Sequence, residues 1–225
     1  RGIFAGWKKS ILDSPRIIPL QVGKEMVICD KRHRYMDRCQ DDEVCVCEMS
    51  QANVEQISRI IEIAGSDPAG WRKTTLEERH KIMYEAANRL GEMRGDLIGC
   101  MCAITGKTVV EGDVEVSEGI DYARFYTTSM KLFADLPDVD ITPEGTVLVI
   151  SPWNFPCAIP IGGIVAALAG GNTVILKPAT VAAPVAWLFA QAFWDAGVPK
   201  EALQVIITDR DALKVLTSAP AIKHI

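Results

Sequence analysis

The sequence predicts an α/β protein: an open parallel sheet with helices on both faces, preceded by a helical layer and an N-terminal arm of strands. Two observations lead to this prediction. After Pro143, short β-branched runs alternate with helical stretches, which is typical of βαβ units. Before Pro143, apolar residues recur three and four positions apart, which is typical of amphipathic helices. The 225 residues, 48% of them hydrophobic, are enough to bury a full core.

The N-terminal arm is assigned to residues 1–49. Between Gln21 and Val46, short β-prone runs at 25–29 and 43–46 are mixed with turn-forming Asp and Gly. These runs predict strands. No residue pattern of recognisable chemistry lies in the arm.

The helical part is assigned to residues 50–134. Ser50 is expected to cap a first helix, whose apolar positions are Val54, Ile57, Ile60, Ile61 and Ala64. Thr75 and Glu78 have the spacing of a capping box for a second helix. A third helix is predicted from about Val110 to Leu132. Asp135-Leu-Pro-Asp138 breaks it, and residues 135–146 are assigned to a connecting hairpin.

The last part, residues 147–225, has the alternation of a parallel sheet. Predicted strands lie at 147–150, 173–176, 203–207 and 222–225, and predicted helices at 159–168, 183–196 and 211–216. Ligands of such sheets bind beyond the carboxyl ends of the strands, so the residues after Ile150, Leu176 and Ile207 are the candidates for function. A sheet of this class usually continues further, so we expect the chain to be truncated at Ile225.

Composition points to a small-molecule partner. The formal net charge of -5 and the pI near 5.3 are atypical of proteins that bind nucleic acid or an anionic membrane. The longest uncharged apolar stretch, residues 157–169, is too short to cross a bilayer. The chain starts at Arg1 without Met and without the order of a secretion signal, which favours a trimmed piece of a cytoplasmic protein.

Cysteine and histidine usage predicts no metal site. The seven cysteines form no C-x-x-C pair and have no histidine at ligand spacing, so they are interpreted as reduced structural thiols. The histidines, at positions 33, 80 and 224, are scattered along the chain and form no triad.

Two strings of residues carry the functional interpretation, because the sequence has no G-x-G-x-x-G dinucleotide fingerprint. The first predicted strand is followed by Ser151-Pro-Trp-Asn-Phe-Pro156, a turn stiffened by two prolines. The second string is Gly171-Asn-Thr-Val-Ile-Leu-Lys-Pro-Ala179. Together with shorter strings at 70–72, 77–79, 105–107 and 196–199, they closely resemble the aldehyde dehydrogenase superfamily. The resemblance covers about Ser50 to Ile225 and implies a Rossmann-like sheet that binds NAD(P).

The resemblance also implies roles for individual residues. Asn154 corresponds to the amide donor that binds the oxygen of the thiohemiacetal, although a turn asparagine can also simply bond backbone. Lys177 corresponds to the lysine that holds the adenosine ribose hydroxyls, with a plain surface lysine as the alternative. Four further positions correspond to the nicotinamide side (Ile150, Pro152, Trp153) and to an aldehyde-pocket wall (Phe155). Core packing is the alternative for these four.

A narrower resemblance involves Glu115-Val-Ser-Glu-Gly-Ile-Asp-Tyr122, which is similar to a helix of the Δ1-pyrroline-5-carboxylate dehydrogenase branch. It implies that Glu118 lies near the aldehyde pocket, whereas most helical glutamates are solvated. The implied reaction is oxidation of L-glutamate γ-semialdehyde to L-glutamate. In that branch the enzyme often follows a proline dehydrogenase in one bifunctional chain, and such a context would fit a start at Arg1.

The sequence departs from the family's pattern at the far end of the cofactor site. Thr180 stands where a ribose-binding glutamate is usual, so NADP stays open beside NAD. The turn at 207–211 has no glycine, and Asp209 and Asp211 are expected to repel phosphate.

The family's nucleophilic cysteine and general-base glutamate come later in the chain than Ile225. Cys157 has no helper in the sequence and is not expected to replace the nucleophile. The 225 residues alone are therefore expected to be inactive, as part of a parent homo-oligomer. Two alternatives stay open: a general aldehyde or acyl-CoA-forming member of the superfamily, and a non-catalytic structural fragment that binds cofactor weakly.

Overall fold

Four parallel strands form the centre of the computed structural model, which describes residues 16–39 and 44–225. The strands are β1 (Arg16–Ile18), β2 (Leu20–Val22), β3 (Glu25–Val27), β4 (Arg32–Met36), β5 (Cys45–Ser50), β6 (Thr146–Ser151), β7 (Thr173–Pro178), β8 (Leu203–Val205) and β9 (Ile222–His224). The helices are α1 (Val54–Ser66), α2 (Leu76–Glu92), α3 (Arg94–Thr105), α4 (Val109–Ala134), α5 (Ala158–Ala169), α6 (Ala183–Ala196) and α7 (Arg210–Ser218). Short 3-10 turns lie at Trp71–Lys73 and Thr180–Ala182.

The parallel sheet has the strand order β8-β7-β6-β9. The chain runs outward from β6 through β7 to β8 and then returns to the other side of β6, so the order reverses between β6 and β9. Ile150 pairs with Lys177 and Ser151 with Pro178, which aligns the carboxyl ends of the two central strands. Ligands of this sheet class bind at that edge.

Helices cover both faces of this sheet, as the sequence predicts. On one face, Val174 and Leu176 of β7 belong to the same buried core as residues of α5 and α6. On the other face, Leu148 and Ile175 belong to a second core with residues of α1 and α7. Alternate residues of a strand point to opposite faces, and this explains how β7 contributes to both cores.

The helical layer agrees with the sequence in part. Thr75 and Glu78 form the predicted capping box at the start of α2. The cap of α1 was predicted at the wrong residue: Asn53 caps this helix and shares a capping box with Gln56. Ser50 instead ends β5, where its hydroxyl accepts a hydrogen bond from the Cys29 amide at 3.1 Å.

The third predicted helix is α4, and the sequence did not predict α3 in front of it. Six consecutive residues of α3, from 99 to 104, are buried, so this helix lacks the one-sided pattern that marks an amphipathic segment. Residues 135–145 form no strand, and the predicted connecting hairpin is an irregular connection that reaches β6 at Thr146.

The described part of the N-terminal arm packs onto the rest of the chain. Its strands form a three-stranded sheet of order β1-β5-β4 and a hairpin of β2 and β3, and β4 is a strand that the sequence did not predict. Gln21 joins the hairpin to the edge of the parallel sheet, because its amide donates to the Leu203 carbonyl and accepts from the Val205 N–H, both at 3.0 Å. The predicted strand at 43–46 lies partly outside the described residues, and its described part begins β5.

Candidate functional site

The turn after β6 presents the side chains that the sequence singled out. Trp153, Asn154 and Phe155 are exposed, and the exposed fractions of Trp153 and Phe155 are 58% and 42%. Pro156 and Cys157 behind them are buried and lead into α5. Exposed aromatic rings on a turn fixed by two prolines form a surface that is ready to contact a ligand.

The side-chain amide of Asn154 makes no hydrogen bond within the described part of the chain. Its backbone carbonyl, in contrast, accepts a hydrogen bond from Lys107 Nζ at 2.6 Å. The alternative interpretation, in which the asparagine side chain bonds its own turn, therefore finds no support in the geometry. An amide whose backbone is fixed and whose N–H groups are uncommitted is suited to donate to an external oxygen.

A buried ion pair lies behind the turn. Lys107 pairs with Glu115, and the exposed side-chain fractions are 13% and 1%. The other oxygen of Glu115 accepts hydrogen bonds from the N–H groups of Cys157 (3.0 Å) and Ala158 (3.2 Å) at the start of α5. The ammonium of Lys107 also lies 4.4 Å from the centroid of the Phe155 ring. Sequence reasoning did not assign a role to Lys107 or Glu115, although both lie in strings that carry the family resemblance.

Lys177 and Thr180 follow at the end of β7. Lys177 is half-buried and has no ion-pair partner among the described residues, and burial lowers the pKa of its ammonium below the ordinary value of 10.5. An uncommitted cation in this place fits a ligand rich in hydroxyl groups. The carbonyl of Thr180 accepts a hydrogen bond from the Tyr35 hydroxyl at 2.7 Å. Burial, and then the neighbouring Cys47, raise the pKa of Tyr35, so its hydroxyl stays a neutral donor.

A cleft of about 340 Å³ lies between these two turns and the end of α3. Its lining residues are Arg38, Ile104, Thr105, Trp153 and Val181. Trp153 and Val181, which belongs to the turn after Lys177, thus line the same cleft. Arg38 and Val181 were not predicted as site residues, because nothing in their local sequence marks them.

Glu118 lies one helical turn after Glu115 on α4. It is half-buried, and its carboxylate accepts a hydrogen bond from the Tyr122 hydroxyl at 2.7 Å. This bond raises the pKa of Tyr122. The Tyr122 ring packs against Gly162 of α5, where an added Cβ would lie 3.1 Å from the ring. Glu118 is therefore an oriented carboxylate and not a freely solvated one.

The turn after β8 is closed by its own side chains. Thr208 donates to the Ala52 carbonyl at 3.1 Å, and Asp209 caps α7 by accepting from the Ala212 N–H at 3.0 Å. Asp209 also pairs with Lys31 at 2.8 Å, and these hydrogen bonds, that of Lys31 first, lower its pKa. Asp211 pairs with Lys214 at 3.0 Å, so both acids have a cation beside them.

Cys157 is fully buried, and desolvation, followed by the nearby Glu115 carboxylate, raises the pKa of its thiol. A neutral buried thiol is a poor nucleophile, which agrees with the prediction that Cys157 does not attack substrate. The free thiols include Cys29, Cys45, Cys47, Cys100, Cys102 and Cys157. Within the described part of the chain, no cluster of His, Cys, Asp and Glu could hold a metal ion, and no helix could span a membrane.

Fold and site together define an α/β domain in which an exposed amide and a half-buried lysine follow two neighbouring strands at the carboxyl edge of a parallel sheet. The chain belongs to the aldehyde dehydrogenase family, whose pattern matches residues 29–225. The family resemblance of the two strings is thereby confirmed.

Two relatives and one solved structure show which members of the family this chain is similar to. The 1-pyrroline-5-carboxylate dehydrogenase of Geobacillus sp. (strain WCH70) is 33% identical over 198 residues, 84% of this chain and 38% of that protein. The alpha-ketoglutaric semialdehyde dehydrogenase of Bacillus subtilis (strain 168) is 33% identical over 168 residues, 70% of this chain and 34% of that protein. Among solved structures, the 1-pyrroline-5-carboxylate dehydrogenase from Thermus with bound NAD has a TM-score of 0.88 and 26% identity, covering 99% of this chain and 45% of that one. The chain thus spans between about a third and two fifths of the length of these two relatives.

Proposed function

We propose that this chain forms the cofactor-binding and oxyanion-donor part of an NAD(P)-dependent aldehyde dehydrogenase. In this proposal the complete protein oxidises L-glutamate γ-semialdehyde, which forms from Δ1-pyrroline-5-carboxylate, to L-glutamate. The observation that supports it best is Asn154: its backbone is fixed, its amide is uncommitted, and it lies at the edge of the sheet where ligands bind.

The chemistry assigned to Asn154 is electrostatic. When a thiolate adds to an aldehyde, the carbonyl oxygen gains negative charge, and an N–H dipole already aimed at that oxygen stabilises it without reorganising. Cys157 does not supply the thiolate, because it is buried and neutral. We place the nucleophile and the general base outside these residues, so that this chain alone turns over no aldehyde.

The cofactor, when bound, accepts a hydride. Lys177 would hold its ribose hydroxyls, and Thr180 would lie beside them. Ile150, Pro152 and Trp153 would line the nicotinamide side, and their exposed surface at the end of β6 fits that role. Since Thr180 carries no charge, both NAD and NADP are accommodated in this proposal.

The substrate assignment is supported by the names of relatives and by α4. Two of the most similar proteins are 1-pyrroline-5-carboxylate dehydrogenases, one of them with bound NAD. Glu118 and Phe155 are assigned to the aldehyde pocket, Glu118 because Tyr122 holds its carboxylate in place. A second candidate is the oxidation of alpha-ketoglutaric semialdehyde, which the Bacillus subtilis relative suggests.

Turnover by the complete protein tests the substrate. We expect NAD(P)-dependent oxidation of Δ1-pyrroline-5-carboxylate with a higher kcat/KM than of alpha-ketoglutaric semialdehyde or simple aliphatic aldehydes. The reverse order would support the second candidate, and a preference for aliphatic aldehydes would support a general dehydrogenase. No turnover of any aldehyde would contradict the enzyme proposal.

A titration of this chain with NAD tests the cofactor proposal separately. We expect saturable quenching of tryptophan fluorescence with a dissociation constant near the millimolar range, about 4 kcal/mol. In Lys177→Ala the same quenching should require roughly 10- to 100-fold more NAD. A flat titration would support a purely structural role for the 225 residues.

A further inference from the structure

The backbone of Lys107 is fixed from both sides. Gly106 ends α3 with φ of 71°, in the left-handed region that glycine favours, and Thr108 caps α4 in a capping box with Glu111. Lys107 is the residue between these two caps. Its position is therefore set by two helices and not by a flexible loop.

Glu115 takes the place of a cap at the start of α5. The cap residue Cys157 makes no side-chain bond there, and Glu115 accepts the N–H groups of Cys157 and Ala158. A carboxylate at a helix N-terminus is favoured by the helix dipole and by charge-assisted hydrogen bonds. Glu115 thus fixes the distal end of the Asn154 turn to α4.

Lys107 fixes the centre of the same turn. Its ammonium donates to the Asn154 carbonyl, contacts the Phe155 ring and pairs with Glu115. From these contacts we infer that Lys107 and Glu115 are a positioning pair that sets the orientation of the Asn154 amide towards the aldehyde oxygen. The catalytic part of this inference rests on the proposed function of Asn154.

Global stability alone is a poor explanation for the pair. A buried ion pair is often no more stabilising than well-packed apolar residues, because desolvating both charges is costly. The neighbouring pair Arg94–Asp113 (2.6 Å) joins α3 to α4 and lies nearer the surface, with exposed side-chain fractions of 35% and 54%. Among the described residues, this pair makes no hydrogen bond or ion pair with the Asn154 turn, and Asp113→Asn is therefore a matched control.

The first experiment measures order in the turn. Amide nitrogen relaxation of Trp153, Asn154 and Phe155 in this chain should give order parameters of about 0.85, falling below about 0.6 in Lys107→Met. Asp113→Asn should leave them unchanged. Equal order parameters in native and Lys107→Met chains would overturn the inference.

The second experiment is a double-mutant cycle in the complete protein. Lys107→Met should lower kcat by up to about 100-fold, the scale of a misplaced catalytic group, with a smaller change in the KM for NAD. In the Asn154→Ala background the same substitution should change kcat less than about twofold, because coupled residues are not additive. Additive losses would show that Lys107 does not act through Asn154, and they would overturn the inference.

A third variant distinguishes a loss of positioning from a failure to fold. Lys107→Met leaves the Glu115 carboxylate buried without its cation, whereas Lys107→Met with Glu115→Gln removes both charges and keeps a side-chain oxygen that can accept from both α5 amides, as Oε2 of Glu115 does. The double variant should lose turn order and kcat as Lys107→Met does; native order and kcat in it would overturn the inference. If native protein oxidises no aldehyde, the proposed function fails, and the relaxation experiment still decides whether the pair orients the turn.

Discussion

The turns after β6 and β8 lie at the same edge of the parallel sheet, but their polar side chains differ in whether they are hydrogen-bonded within the chain. After β6, the backbone is held from behind by Lys107, and the Asn154 amide has no partner among the described residues. After β8, Thr208 bonds the Ala52 carbonyl and Asp209 caps α7 while pairing with Lys31.

We interpret the turn after β6 as arranged to meet a ligand and the turn after β8 as arranged to hold the chain together. A polar group that is already bonded must give up that bond before it can bind anything else, whereas an exposed uncommitted group exchanges only water. We therefore expect ligand contacts to concentrate at the ends of β6 and β7. Four substitutions test this comparison.

The largest effect is expected for Asn154→Ala in the complete protein. Removal of an oxyanion donor should lower kcat by about 100- to 1000-fold, with a smaller change in the KM for aldehyde. Steady-state kinetics measure both values. Asn154→Asp is the sharper variant, since a carboxylate repels the developing oxyanion and should be at least as slow. A kcat close to that of the native protein in both variants would remove Asn154 from the chemistry.

A smaller effect is expected for Lys177→Ala. Loss of charge-assisted hydrogen bonds of about 1.5–3 kcal/mol should weaken NAD binding roughly 10- to 100-fold. Fluorescence titration of this chain measures it, and Lys81→Ala is the control, because Lys81 is exposed on α2. Weakening of equal size in the two variants would mean that Lys177 acts as general surface charge.

The lowered pKa of Lys177 predicts that NAD binding and stability both depend on pH. Burial lowers its pKa below 10.5, so NAD affinity should fall as pH rises towards that value, and Lys177→Ala should lose this dependence. Between the lowered folded pKa and the unfolded pKa, the unfolded state binds more protons. The contribution of Lys177 to the free energy of unfolding therefore rises with pH through that window.

Tyr35→Phe should have a still smaller effect. It removes one hydroxyl and leaves the Thr180 carbonyl without its partner, a loss of about 1 kcal/mol, or roughly fivefold in NAD affinity. Titration with NAD and a urea midpoint are measured together. A lower urea midpoint with unchanged NAD affinity would mean that the β1-β5-β4 sheet, which holds Tyr35, supports only the fold.

Local sequence was enough to predict the sheet, because its strands are continuous β-branched runs between helices of ordinary length. It failed for α3, which is buried on most sides and has no polar face. It also misplaced the cap of α1: Ser50 and Asn53 are both capping residue types, and Gln56, three residues after Asn53, decided between them. A glutamine or glutamate three residues after the cap, as in the capping box of Asn53 and Gln56, identifies the correct cap residue.

The candidate site could be predicted where its residues are adjacent in the chain, as they are from Pro152 to Phe155. Lys107 and Glu115 could not be, because a lysine between helices and a helical glutamate are normally solvated. Only the packing of α4 against the start of α5 buries them behind Asn154. Likewise, the sequence predicts that Asp209 repels phosphate, but the lysine that pairs with it is distant in the chain.

Asp209→Ala is expected to have the smallest effect on ligand binding. Lys31 already offsets the charge of Asp209, so NAD affinity should change less than about twofold, as expected for a screened surface charge. The fold should respond instead: α7 loses its cap, and the urea midpoint should fall.

The pH dependence of the urea midpoint is the second part of the Asp209→Ala test. The Lys31 and Ala212 hydrogen bonds lower the pKa of Asp209 below 3.8, so its stabilising contribution is present above that value and is lost as pH falls through the lowered pKa. The midpoints of native and Asp209→Ala chains should therefore converge in acid. Tighter NAD binding by Asp209→Ala at neutral pH would mean that a phosphate of the cofactor approaches this turn. The two turns would then differ in their charge, and not in whether their polar side chains are already hydrogen-bonded.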